Sequence, residues 1–174
     1  MSKSREILTS LEKITILNHI FFDHYKFEID QLNPYSPQNC FINCVLDLRK
    51  GNPVSIAIIY TLIARSLDLP VHYIDFDTNP LIGYFDKEIA QLVQGEDFKH
   101  SVLFFINPSN NGAIIGPKEV DYLQNTHEPD RKKLIEPCPD RIVIKRLIEK
   151  LVIGYQELGI EDKAQYMNEI ASIL

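Results

Sequence analysis

The hydrophobic pattern changes its period at Pro70, and that change restricts the fold more than any other feature. Before it, from Pro53 to about Leu67, apolar residues recur at helical spacing (Ile56, Ile59, Tyr60, Ile63 and Leu67), and Leu69-Pro70 closes the run. After it the residues are aromatic and β-branched: "VHYIDF", "PLIGYF", "HSVLFFIN", then the turn "NPSNNG" and a short "AIIG". Beyond Pro139 the helical period returns. Ile144, Leu147, Ile148, Leu151 and Tyr155 predict a helix over 141–158, and Ala164, Met167, Ile170 and Leu174 a second over 161–173. The two are joined at Gly159 as an antiparallel hairpin. Helices, then a block of strands, then helices predicts an α+β fold.

The flanks fit that scheme. Ile7, Leu8, Leu11, Ile14, Leu17, Phe21 and Phe22 predict one or two helices over residues 3–26. Ser36-Pro37 reads as an N-cap and a first-turn proline, opening a helix that runs to a terminating Gly51 and carries Cys40 and Cys44 on one face. Asn52 is the expected N-cap of the Pro53 helix. The acidic stretch at 86–99 is an insert between the second and third strands with room for a short helix, and residues 117–124 read as another.

With 174 residues the chain is long enough for one sizeable core. Its net charge is −6, and the stretch from Asp130 onward is neutral, with eight acidic and eight basic residues, so the whole excess lies in residues 1–129. This balance argues against binding to a phosphate backbone. The basic residues 130–133, Lys145, Arg146 and Lys150 are offset by Glu136, Asp140 and Glu149, the pattern of a solvated helix face. Three cysteines make no disulfide framework, no apolar run reaches the roughly 18 residues of a membrane span, and "MSKSREILTS" lacks the features of a signal peptide. A cytoplasmic protein without membrane contact is expected.

Taken in order, Tyr35 to Asn39, Gly51-Asn52-Pro53-Val54-Ser55, Leu69-Pro70, "DTNPL" around Asn79, and Asn107-Pro108 to Gly112 resemble the SirB-type bacterial branch of the transglutaminase-like superfamily, over about residues 12–123. The resemblance implies a papain-like helix packed on a small antiparallel sheet in a domain spanning 1–125, with the hairpin of 126–174 packed on it as one unit. It also locates the superfamily's Cys-His-Asp triad. The cysteine position falls on Pro53, the histidine on Asn79 and the aspartate on Asn107. Proline offers no nucleophile, and asparagine neither accepts a proton near neutral pH nor stabilises a cation as a carboxylate does.

A non-catalytic protein is therefore expected, acting by binding a protein partner or a peptide- or amide-like ligand, with no cofactor and no metal. Asn52, Pro53, Val54, Ser55, Asn79 and Asn107 are the ligand-binding candidates. Free amides of Val54 and Ser55 at the helix N-terminus would favour an anion or a carbonyl oxygen. The hairpin offers a second surface, fit for a partner helix.

The alternative is a hydrolase or amide-transfer enzyme with a relocated nucleophile, Ser55, Cys40 or Cys44, paired with a histidine. For Ser55 the ordinary reading is a hydrogen bond within the first helical turn. Cys138, between two prolines, carries no charge cluster. His19, His24, His72 and His100 read as solvated or core residues, and Cys40-x-x-x-Cys44 with a histidine is the one metal arrangement the spacing suggests. A third possibility is a structural subunit of a larger complex.

Overall fold

The computed structural model of the protein describes residues 8–76, 79–95, 101–127 and 135–174. Helix α1 (Ser10–Asn18) begins at Thr9, whose hydroxyl accepts the Glu12 amide while the Glu12 carboxylate accepts the Thr9 amide at 2.7 Å. This capping box satisfies two of the amides that every helix start leaves without a partner. The helix continues into a wider turn, His19–His24, closed by Tyr25 N–H on the Ile20 carbonyl. That turn delivers Phe21 and Phe22 onto Tyr60 of the central helix, with ring centroids 5.2 and 5.9 Å away.

Strand β1 (Glu28–Ile29) pairs in parallel with β2 (Lys50–Gly51). Between them the single helix expected from Pro37 to Gly51 is broken. A 3-10 turn covers Pro37–Cys40, Phe41 is extended, and α2 covers only Ile42–Leu48. The reason is a competing acceptor. Asn39 C=O, which a continuous helix would give to the amide four residues on, instead accepts the Asn52 side-chain amide at 3.1 Å and its backbone N–H at 3.5 Å. Nor does Gly51 terminate α2. Arg49 takes the left-handed position (φ 58°), and its guanidinium reaches the Tyr25 carbonyl at 3.1 Å.

The central helix α3 (Pro53–Ser66) starts where the sequence predicts and ends just before Leu67. Ile56, Ile59 and Tyr60 are buried and Ile63 is half-buried, but Leu67 lies beyond the last turn and is 58% exposed. Strands β3 (Val71–Ile74), β4 (Leu81–Phe85), β5 (Val102–Asn107) and β6 (Ala113–Ile115) form an antiparallel meander in that order. Register places Tyr73 opposite Ile82 and Ile82 opposite Ile106. Alternation gives the sheet two apolar faces. Tyr73, Ile82, Tyr84, Phe104 and Ile106 pack with α3 in the main core, while Ile74, Leu81, Phe105 and Val102 form a second cluster with Val120.

Helix α4 (Lys87–Gln94) lies in the acidic insert, capped by Asp86, and α5 (Pro117–His127) contributes Val120. The division after residue 125 falls within α5. The basic run 130–133 and His100 lie outside the described residues.

Helices α6 (Asp140–Glu157) and α7 (Glu161–Ile173) form the expected hairpin, turning at Gly159 with φ +68°. Helix α6 lies on α3 and on the Pro37–Cys40 turn. Two contacts locate it. Arg146 embraces the Asp75 carboxylate with Nε and Nη2 at 2.8–3.1 Å, a two-pronged geometry stronger than a point contact. Gly154 faces Tyr35 so closely that a Cβ there would sit 2.5 Å from the Tyr35 carbonyl oxygen.

Candidate functional site

The segment Gly51 to Ser55 folds into a closed knot at the head of α3. Asn52 Oδ1 accepts the Ser55 amide at 2.9 Å, and Ser55 Oγ accepts the Asn52 amide at 3.0 Å while donating to the Asn52 carbonyl. Pro53 takes the first helical position, where the missing amide hydrogen costs nothing. Gly51 is required by contact, since a Cβ at that position would lie 2.5 Å from Ser55 Oγ and 2.9 Å from Val45. Asn52 Nδ2 then ties the knot outward, to the Asn39 carbonyl at 3.1 Å and to Cys40 Sγ at 3.2 Å.

This arrangement corrects one expectation. The Ser55 amide is not free for a ligand: Asn52 occupies it, and Asn52, Val54 and Ser55 are all buried, Ser55 fully. Among the described residues Ser55 Oγ hydrogen-bonds to Asn52 alone, the pattern of a helix-start bond, and no base is among its partners.

Asn79 and Asn107 lie at one end of the sheet. Ile82 pairs with Ile106, so Asn79, just ahead of β4, stands at the end where β5 finishes. Asn79 is exposed. Asn107 Oδ1 accepts the Ser109 amide at 3.0 Å and its carbonyl accepts the Gly112 amide at 2.9 Å, an Asx turn that begins the next loop. That loop is fastened to the core through Asn18, which donates to the Gly112 carbonyl at 2.8 Å and accepts the Tyr60 hydroxyl at 2.7 Å. Among the described residues no hydrogen bond joins Asn79 or Asn107 to the knot at Asn52–Ser55.

The break at Phe41 separates Cys40, buried in the 3-10 turn, from Cys44 on α2, so the two do not share a helical face as expected. Burial pushes the Cys40 thiol up to about 11, against the partial relief of the Asn52 hydrogen bond. Cys138, whose amide donates to the Tyr73 carbonyl, is likewise raised to about 11 by burial. Thiols held protonated are poor nucleophiles and poor metal ligands. His19 pairs with Asp23 on an exposed helical face, and His72 lies edge-on to Phe85 with Arg65 at 2.8 Å. Among the described residues no histidine bonds to a cysteine or serine, and no three His, Cys, Asp or Glu side chains gather as a metal site.

One concave surface adjoins the knot from outside. A groove of about 880 Å³ runs between the 30–39 loop, Leu48 and the last turn of α6. Its loop wall is braced from within: Asn39 Nδ2 donates to the Asn33 carbonyl at 2.8 Å and to Asp30 at 3.4 Å, and Asp30 also accepts the Asn33 amide. Asn39 carries this brace into the knot through the Asn52 bond, while Gly154 holds α6 against Tyr35 on the other side. Sequence reasoning missed the groove because its walls come from three separate parts of the chain. The available signal was apolar residues, Leu32, Tyr35 and Leu48, that no helical or strand stripe uses.

Known proteins extend this picture. A sequence profile of the transglutaminase-like superfamily matches residues 2–149. F-box only protein 21 of Homo sapiens is 23% identical over 164 residues, which cover 94% of this chain and 25% of that protein. A UPF0162 protein of Xylella fastidiosa is 24% identical over 159 residues, 87% of this chain and 52% of that protein. Another UPF0162 protein, from Pasteurella multocida, is 35% identical over 81 residues, 45% of this chain and 31% of that protein. The chain therefore spans about a quarter of the F-box protein and about half of the Xylella protein. No solved structure matches it. With 148 of its 174 residues under the family profile, the chain belongs to the transglutaminase-like superfamily.

Proposed function

We propose that this chain is a non-catalytic transglutaminase-like domain of the SirB-type branch, working in the cytoplasm by binding a protein partner or a peptide- or amide-like ligand. The observation that supports this reading is the reciprocal bonding of Asn52 and Ser55 on either side of Pro53, the residue on which the resemblance puts the superfamily's nucleophile position. A cysteine at the start of a helix draws its reactivity from the positive dipole end and the free amides there. Here the Ser55 amide is already capped and Ser55 is fully buried. The resemblance puts the other two triad positions on Asn79 and Asn107, whose side chains move no proton near neutral pH.

The test is a turnover assay on the whole chain with glutamine-containing peptides, in water and with an added primary amine. Mass spectrometry would follow both hydrolysis and amide exchange. No turnover is expected, and Pro53→Cys alone should not create any, because the base is missing. Turnover by the parent protein that disappears in Cys44→Ala or Ser55→Ala would overturn the proposal in favour of a relocated nucleophile.

A further inference from the structure

We propose that the groove between the 30–39 loop and the end of α6 docks a basic, apolar peptide segment of a protein partner. This rests on the binding reading above and gives it a place and a chemistry.

Much of the groove's lining is apolar. Leu32, Tyr35, Leu48 and Leu158 all face the groove, and they are 85%, 57%, 58% and 60% exposed. Single exposed leucines are ordinary, but four large apolar side chains converging on one concavity are what a partner-binding patch presents. They come from the loop, from α2 and from the residue that ends α6. No packing need of any one element explains why they meet.

The groove is also acidic. Asp30, Lys50 and Glu157 are the ionisable groups along the groove, apart from Tyr35. Lys50 is neutralised by Glu28 at 3.0 Å. Among the described residues Asp30 accepts hydrogen bonds from the amides of Asn33 and Asn39 and shares the field of Lys50, whose ion pair is with Glu28, and Glu157 has no cation within ion-pair distance, so the groove keeps a surplus of negative charge. A carboxylate held by two amides keeps lone pairs open to the groove. An occupant with Lys or Arg beside a bulky apolar anchor satisfies both features: the anchor enters among the four apolar groups and the cation meets Asp30 or Glu157. An acidic segment would meet like charge there.

The groove's walls are also held by the fold itself: the loop wall is braced by Asn39 and Asp30, and the α6 wall is set by the Gly154–Tyr35 approach. Walls held in this way lower the ordering cost of binding.

The experiment selects random linear peptides, displayed on phage, against the whole chain. Enriched sequences are synthesised with a fluorophore and their binding read by anisotropy. Peptides carrying Lys or Arg next to Leu, Ile or an aromatic residue are expected, with affinity that falls as salt is raised. Glu157→Lys and Leu158→Ser each should weaken binding by about tenfold or more. Both residues are exposed at the end of α6, and an unchanged melting temperature would show that each variant folds.

Acidic or uncharged winners would overturn the proposal, as would a failure to enrich any sequence. Peptides indifferent to both substitutions would remove the groove while leaving a binding protein intact. Self-association of the chain that Leu158→Ser dissolves would assign the groove to a second copy instead. Cleavage of a bound peptide would sink the non-catalytic reading itself and leave the groove's preference standing.

Discussion

Asn52 and Ser55 cap each other: each side chain accepts the other's backbone amide, at 2.9 and 3.0 Å, inside a region closed to solvent. The head of the central helix is thus a hydrogen-bonded unit tied to the Asn39–Cys40 turn through Asn52 Nδ2. It serves as a structural joint between α3, β2 and the Asn39 turn.

Removing the joint should cost stability. Asn52→Ala loses the cap and leaves the Ser55 amide and the Asn39 carbonyl short of partners in a buried place. A lost cap costs about 0.5–2 kcal/mol, and an orphaned buried group about 1–3 kcal/mol. We expect about 2–3 kcal/mol in urea unfolding, with little change in the denaturant slope. Ser55→Ala should cost less, about 1–2 kcal/mol, because Asn52 still caps the helix through its own side chain. A Ser55→Ala variant as stable as the parent would show that the reciprocal half of the cap contributes nothing.

The packing of α6 on the loop depends on the absence of a side chain at residue 154. Ala is the better helix former by about 1 kcal/mol, yet Gly154→Ala should destabilise by about 1–3 kcal/mol, because its Cβ would meet the Tyr35 carbonyl, a backbone atom that cannot step aside. The same change at Gly116, where the nearest atom is the Glu119 carboxylate oxygen at 3.7 Å, meets only ordinary contact and should be close to neutral. Thermal and urea unfolding of the two variants decides this. Equal effects would refute the tight approach.

The acid side of the stability profile should carry the mark of His72. Its imidazole is held below its ordinary value, first by burial and then by the Arg65 guanidinium, with Asp140 offsetting part of this. The unfolded chain therefore takes up this proton before the folded one does. At pH 8 the residue is neutral in both states and contributes no slope. As pH falls through about 6.5, its ordinary value, the unfolded state binds more protons, and stability drops until the folded histidine is protonated in turn. His72→Gln should flatten the profile in that window and leave it unchanged at pH 8. An unaltered acid limb in the variant would assign the loss to other groups.

The elements legible in the sequence were those fixed by local pattern. Asn52-Pro53 marked the start of α3, Gly159 marked the hairpin turn, and aromatic and β-branched runs marked the meander. What escaped was decided by long-range partners. Asn39 looks like a helical residue until Asn52, thirteen positions on, claims its carbonyl, and the helix breaks at Phe41. Leu67 fits a helical period but falls past the last turn, where α3 gives way to β3. The closure of Asn52–Ser55 depends on side-chain geometry that spacing does not contain. The groove needed α6 brought beside the 30–39 loop, a contact that Gly154 permits and no sequence period announces.

Thiol reactivity offers a direct check on the relocated-nucleophile alternative. A catalytic cysteine is accessible and holds its thiolate near neutral pH, and it reacts faster with electrophiles than a free thiol in solution. Cys40 is the reverse case: it is buried, its sulfur receives the Asn52 side-chain amide, and its thiol is pushed up to about 11. Cys138 is raised to about 11 as well, although it is only half-buried. In the native protein at pH 8, iodoacetamide should leave Cys40 almost unmodified and alkylate Cys138 slowly, and in denaturant all three cysteines should react at the rate of ordinary thiols. Peptide mapping by mass spectrometry distinguishes the sites. The same burial predicts an alkaline trend. Because the folded thiol is raised above its unfolded value, the stabilisation it contributes is complete below the unfolded value and is lost as pH climbs toward the folded one. Cys40→Ser or Cys40→Ala should flatten that alkaline loss. Rapid native alkylation of Cys40 would mean that the joint at the head of α3 opens in solution, and the argument for a sealed, unreactive helix start would fail with it.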